Sequence, residues 1–125
     1  MFNIGVAVHS AYWQRFVFDT MRDKGYNVSE IKGGISDNIH IAIVEVNWSD
    51  TRWISLVDNM QRQKRESLSI ILLIDRRVEL EVDLDAIFAL VDNQFHAYMI
   101  IPFSQKELTL TVEKLLQKNS TDLQC

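Results

Sequence analysis

Four short apolar runs, rich in β-branched side chains, recur along the chain at residues 4–8 (Ile-Gly-Val-Ala-Val), 39–46, 69–74 and 96–101. Each is long enough for a buried strand and too short for a helix. Their apolar character is continuous rather than alternating, so each strand needs cover on both faces of its sheet. That need is met by a mostly parallel sheet with helices on either side. The intervening stretches supply the cover. Within residues 11–24, Trp13, Phe16, Val17 and Met21 recur at helical spacing, and Gly25 after Lys24 marks the helix end. Residues 26–31 read as a weaker strand, and residues 33–38 (Gly-Gly-Ile-Ser-Asp-Asn) as a turn cluster.

Ser49 or Asp50 can cap the next helix, whose inner face is Trp53, Ile54, Leu56, Val57 and Met60 and whose tail, residues 61–66, is polar and mostly basic. Leu84, Ile87, Phe88 and Val91 form a further amphipathic helix, entered through the acidic stretch 79–85. Pro102 ends the last strand. Ser104 and Glu107 then have the spacing of a capping box, ahead of a buried stripe of Leu108, Val112, Leu115 and Leu116.

The order is β-α-β-β-α-β-α-β-α, which predicts a doubly wound α/β fold. Right-handed crossovers favour a five-stranded sheet of flavodoxin type, ordered 2-1-3-4-5. Too few residues separate Gly25 from Glu45 for a full second helix, so that helix is expected to be short or missing. The same shortness leaves open an antiparallel pairing of strands two and three. Residues 1–118 form the expected domain. Residues 119–125 are a polar tail, expected to fray, in the position of a linker to an effector.

Composition narrows the function classes. The chain has 125 residues and a net charge of −4, where coating a nucleic-acid duplex calls for a basic excess. No direct nucleic-acid binding is therefore expected of this segment. Its single cysteine, Cys125, allows neither an internal disulfide nor a thiolate metal cage. No apolar run reaches the roughly 18 residues of a membrane span. The N-terminus lacks the basic region and cleavage site of a signal peptide, and the chain reads as cytoplasmic.

In a sheet of this kind, ligands collect at the carboxyl ends of the central strands. His9 and Ser10, Glu45 with Asn47, Ile74 with Asp75, and Ile101 with Pro102 stand there. The last segment is the most specific: Tyr98-Met99-Ile100-Ile101-Pro102-Phe103-Ser104, followed by Glu107 and Leu108. It is similar to the segment of response-regulator receiver domains in which a strand carries an invariant lysine before a proline, followed by a helix that opens with a leucine shortly after a polar cap. The resemblance extends over residues 3–118.

Carried over position by position, the resemblance removes the phosphorylation machinery. The acidic pair that holds Mg²⁺ in receivers falls on Val8, His9 and Ser10. The phosphoacceptor aspartate falls on Glu45, the switch hydroxyl on Ile74 and the lysine on Ile101. A hard divalent cation needs several oxygen ligands, and the cation and lysine together neutralise charge on a transferred phosphoryl group. The resemblance therefore implies an atypical, pseudo-receiver domain, bearing a degenerate pocket of His9, Ser10, Ile74, Asp75 and Ile101. Its shortened second crossover is similar to that of the degenerate receivers of antiterminators that respond to amides or nitrate. It also implies an interaction face over residues 83–93, Tyr98 and 107–118, including Leu90, Glu107 and Lys114, for homodimerisation or a regulatory protein partner. Tyr98 matches a position that often carries an aromatic switch residue.

Other readings rest on single features. Glu45 is either a fixed mimic of a phosphorylated aspartate or a carboxylate satisfied by nearby backbone N–H groups. A small ligand in the pocket around His9, Ser10, Glu45 and Asp75, with Trp48 over it, is the competing function. A regulatory wing of an enzyme, such as those on amino-acid decarboxylases, is a third. No catalytic constellation, phosphate loop, cofactor motif or metal-ligand cluster stands in the sequence. Arg62, Lys64, Arg65, Arg76 and Arg77 are a basic minority, read as a solvated helix tail or a contact for an anionic partner.

Overall fold

The computed structural model describes residues 2–31, 38–47, 49–63 and 68–124, the side chains of residues 79 and 118–124 excepted. Its elements are β1 (Asn3–Ala7), α1 (Ala11–Asp23), β2 (Asn27–Glu30), β3 (Ile41–Glu45), α2 (Arg52–Arg62), β4 (Ser69–Asp75), α3 (Arg76–Glu81), α4 (Leu84–Ala89), β5 (Ala97–Ile101) and α5 (Gln105–Gln124). The strands form one sheet in the order β2-β1-β3-β4-β5. Every neighbouring pair is parallel. The antiparallel alternative for strands two and three does not occur, since both pair with β1 instead.

Side-chain alternation along the central strands divides the interior into two layers. Ile4, Val6, Ile41, Ile43, Ile71 and Leu73 face α1 and α5, where Val17, Met21, Leu108 and Val112 close the first core. Ala42, Val44, Ile70, Leu72 and Ile74 face the opposite way, against Trp53, Val57, Met60 and Ile87 of α2 and α4. The continuous apolar runs are thus buried on both sides, and β4 is buried from Ser69 to Ile74.

Only residues 31–40 connect β2 to β3, and the described ones among them hold no helix. Ile31 and Ile39 turn inward from this crossover and cover β1 on the α2 side. They come so close that a Cβ on Gly5 would lie 2.8 Å from the Ile39 δ-carbon and 2.9 Å from two Ile31 carbons. A side chain at position 5 has no room, because two isoleucines occupy the place of a covering helix. The turn cluster at 33–37 lies outside the described residues.

Several expectations need correction. One helix was expected between the last two strands, but there are two. Asp75 caps α3 by accepting the Arg77 N–H at 2.8 Å. Val82 is then extended, and Asp83 starts α4 by accepting the Asp85 N–H at 3.1 Å. Two carboxylates that satisfy backbone donors at helix starts split what periodicity reads as one acidic entry and one helix. Helix α4 ends at Ala89, and Asp92 and Asn93 take positive φ in the following turn, so Val91 is buried from a turn rather than a helix.

Neither Ser49 nor Asp50 is the cap position of α2, which is Thr51, but the Asp50 carboxylate does accept the Arg52 N–H at 3.0 Å. The chain expected to fray from residue 119 continues as helix to Gln124. Gly25 takes φ +87 after α1, and Ser104 Oγ accepts the Glu107 N–H at 3.1 Å, both as the spacing implies.

Candidate functional site

The loop between β1 and α1 meets the end of β3 at the carboxyl edge of the sheet. Residue 44 pairs with residue 7 in register, so the Glu45 side chain emerges beside His9 and Ser10. Its Oε1 accepts the His9 N–H at 2.9 Å and the Ser10 N–H at 3.2 Å. Ser10 is the cap residue of α1, and its own hydroxyl makes no capping bond. Glu45 thus supplies from another strand the negative charge and acceptor that a helix start favours.

Two further carboxylates of this edge are also engaged by their own chain. Asp50 forms an ion pair with Arg52 at 2.7 Å, and Asp75 one with Arg77 at 3.3 Å. Hydrogen bonds from the Arg52 side chain hold the Asp50 carboxyl below its usual range, with smaller help from the Arg52 N–H and from His9. The Arg77 side chain, then its N–H, does the same for Asp75. The repeated Asp-x-Arg spacing, at 50–52 and 75–77, is a sequence signal that composition and periodicity passed over.

Ile74 is wholly buried and Ile101 is 5% exposed, so hydrocarbon fills both positions against the core. The Ile101–Pro102 bond is cis. Among the described residues no group of three or more His, Cys, Asp or Glu side chains is placed to hold a metal ion. The donor chemistry agrees: Glu45, Asp50 and Asp75 already direct oxygen atoms at N–H groups of this chain, and a hard cation demands several free oxygens.

A cavity of about 410 Å³ lies nearby, on the α2 side, lined by Ala7, Val8, His9, Ile31, Arg52 and Trp53 among others. Of the expected pocket residues only His9 lines it; Ser10, Glu45, Ile74, Asp75 and Ile101 do not. Trp48 lies outside the described residues, as do Lys64 and Arg65. Arg62 pairs with Asp58 at 3.0 Å, and Arg76 is exposed.

At the opposite, amino edge, His40 and His96 have structural roles that the sequence did not reveal. Each presents Nδ1 as an acceptor, His40 to the Asn3 N–H at 3.0 Å and His96 to the Ile70 N–H at 2.9 Å.

The expected interaction face is only partly assembled. Tyr98, Glu107 and Lys114 border one open groove of about 680 Å³ along β5 and α5, together with Arg76, Met99 and Leu110. Leu90 is exposed but lines a different, smaller hollow with Asp58 and Gln94. Arg76, from outside the expected face, joins this groove, whereas Leu110 lies within the expected 107–118 segment. Leu110 stands off the buried stripe of α5 and is exposed.

No family model matches the chain, and no curated protein matches it. Solved structures do. NtrX from Brucella abortus superposes with a TM-score of 0.81 at 14% identity, over 99% of this chain and 29% of that one. The chain therefore spans less than a third of NtrX. The receiver domain of the TMAO respiratory system response regulator TorR gives 0.73 at 17% identity, over 94% and 98% of the two chains. The Vibrio cholerae chemotaxis protein CheY4 gives 0.70 at 19%, over 92% and 98%. With a parallel sheet ordered 2-1-3-4-5 and these neighbours, the chain has the receiver-domain fold.

Proposed function

We propose that this chain is a receiver-like signalling domain that does not accept a phosphoryl group and acts by protein–protein contact. The observation that carries the reading is the engagement of Glu45. Where a receiver needs a free acceptor carboxylate, this one accepts N–H groups of His9 and Ser10. Buried Ile74 and Ile101 supply neither hydroxyl nor cation to a phosphoryl group. Fixed in this way, the edge holds one arrangement, with the negative charge of Glu45 permanently at the start of α1.

The contact surface in this reading is the groove of Tyr98, Glu107 and Lys114 on β5 and α5, taken by a second copy or by a regulatory partner. Both signs of charge flank an exposed aromatic ring there, which suits a self-complementary interface. The domain would be the cytoplasmic regulatory part of a transcription regulator. The same fold in the receiver domain of the response regulator TorR supports the regulatory part of that reading. No helix among the described residues is long and apolar enough to cross a membrane.

Amide NMR spectra test the reading. Adding Mg²⁺ with beryllium fluoride, a mimic of a bound phosphoryl group, leaves the His9 and Ser10 signals unmoved if the proposal holds. Saturable shifts at those two amides would overturn it. Sedimentation of the parent and of Tyr98→Ala then tests the contact surface, since the substitution should weaken any self-association or partner binding.

A further inference from the structure

Two histidines hold the same place in different strand pairs at the amino edge of the sheet. His40 is the residue before β3, and His96 the residue before β5. Each closes a two-bond ring with the neighbouring strand. The His40 N–H donates to the Asn3 carbonyl at 2.9 Å, and the Asn3 N–H returns to His40 Nδ1 at 3.0 Å. The His96 N–H donates to the Ile70 carbonyl at 2.9 Å, and the Ile70 N–H returns to His96 Nδ1 at 2.9 Å. In both pairs an imidazole nitrogen ends the ladder where a parallel sheet otherwise uses a backbone carbonyl. Both returning bonds are half-buried.

Accepting at Nδ1 requires a neutral ring with its proton on Nε2. A protonated ring carries N–H on both nitrogens and sets a donor against a donor. The surroundings of His40 offer no counter-charge: Phe2 stands edge-on at 5.3 Å, Asn3 lies opposite, and Ser69 donates its N–H to the His40 carbonyl. Asp23, Lys24, Arg62 and Asp92, charged residues of the segments that end at this edge, form no ion pair with His40. Beside His96, Phe95, Ala97 and Ile70 are uncharged. Lys64, Arg65 and Glu66, ahead of β4, lie outside the described residues.

We propose that His40 and His96 form a latch at the amino edge that acid releases. Neutral, they tie β3 to β1 and β5 to β4; protonated, they let the starts of β3 and β5 loosen. His96 stands two residues before Tyr98, so the second tie sets the start of the strand that carries this exposed ring. Imidazoles of the unfolded chain take up protons freely near the ordinary histidine value of about 6.5. The unfolded state therefore holds more protons than the folded one in that range, and stability falls there as pH falls. The latch lies at the edge opposite Glu45 and is independent of the reading above.

Nitrogen NMR of the histidine rings and urea unfolding of the full chain, between about pH 7.5 and about pH 5.5, test this. At the upper pH both rings hold their proton on Nε2. Acidification should shift the Asn3 and Ile70 amide signals together with the two rings. It should also raise the unfolding constant by about fivefold for each histidine, the worth of one hydrogen bond. In His40→Asn/His96→Asn an amide oxygen stands near the place of Nδ1 and accepts without titrating. That variant should lose this dependence, and each single variant about half of it. His9 is present throughout and cancels in the comparison, while Asp50 and Asp75, held below the usual carboxyl range, act at lower pH. The proposal is overturned if either Nδ1 carries the proton at the upper pH, which the parent spectra decide even if a variant fails to fold. It is equally overturned if the parent's unfolding constant does not rise on acidification, or rises as much in the double variant.

Discussion

Replacing Glu45 tests whether its carboxylate fixes the β1–α1 loop. In Glu45→Ala, the N–H groups of His9 and Ser10 lose their acceptor. A hydrogen bond to a charged partner contributes about 1.5–3 kcal/mol. Here the His9 bond is exposed and the Ser10 bond half-buried, so water replaces much of what is lost. The low end applies, about 1–2 kcal/mol for the pair. For a domain of this length that is a fall in Tm of roughly 4–8 °C. Glu45→Gln keeps an acceptor of the same reach and should lose about half as much, since the charge roughly doubles such a bond. Glu45→Asp is one methylene short of both donors and should behave like the alanine variant. Thermal and urea denaturation, followed by circular dichroism, read these differences. If the Ala and Asp variants melt with the parent, the carboxylate does not hold the loop and the reasoning fails.

Other consequences are testable by the same methods. Gly5→Ala drives a Cβ into Ile31 and Ile39 and should destabilise the domain by about 1–3 kcal/mol; parent-like stability would show that the two isoleucines yield freely. Thr109→Val removes an unpartnered buried hydroxyl and should raise stability by about 1 kcal/mol, and a loss on urea titration would mean the hydroxyl has a partner in solution. Acid should weaken the fold through Asp75 and Asp50, whose carboxyls are held below their usual range. A lowered folded-state value stabilises the protein above the ordinary aspartate pKa of about 3.9, and that contribution disappears as pH falls through the folded value. Asp75→Asn should therefore flatten the acid limb of stability against pH; an unchanged limb would remove Asp75 from the account.

The sheet was legible because the physics behind it is local. Four uninterrupted apolar runs with helical stretches between them leave a parallel, twice-covered sheet as the consistent answer, and its order follows from crossover handedness. The division of residues 76–89 into α3 and α4 was not legible by periodicity. There two aspartates, Asp75 and Asp83, each satisfy a backbone donor of their own segment, and capping outweighed the apolar pattern. At the site, residue types were readable but their partners were not. Nothing in the sequence says that Glu45 reaches across to residues 9 and 10, or that Ile31 and Ile39 fold over Gly5, because both depend on strand register. Leu90 shows the reverse error: it falls within the right segment of chain, but the early end of α4 points it into another hollow.

The most direct test of the central claim is the intact mass of the protein after incubation with acetyl phosphate and Mg²⁺. The account predicts an unchanged mass, since Glu45 is occupied by backbone donors and Ile74 and Ile101 offer nothing to a phosphoryl group. A stable gain of one phosphoryl group, mapped to Glu45, Asp50 or Asp75, would contradict it.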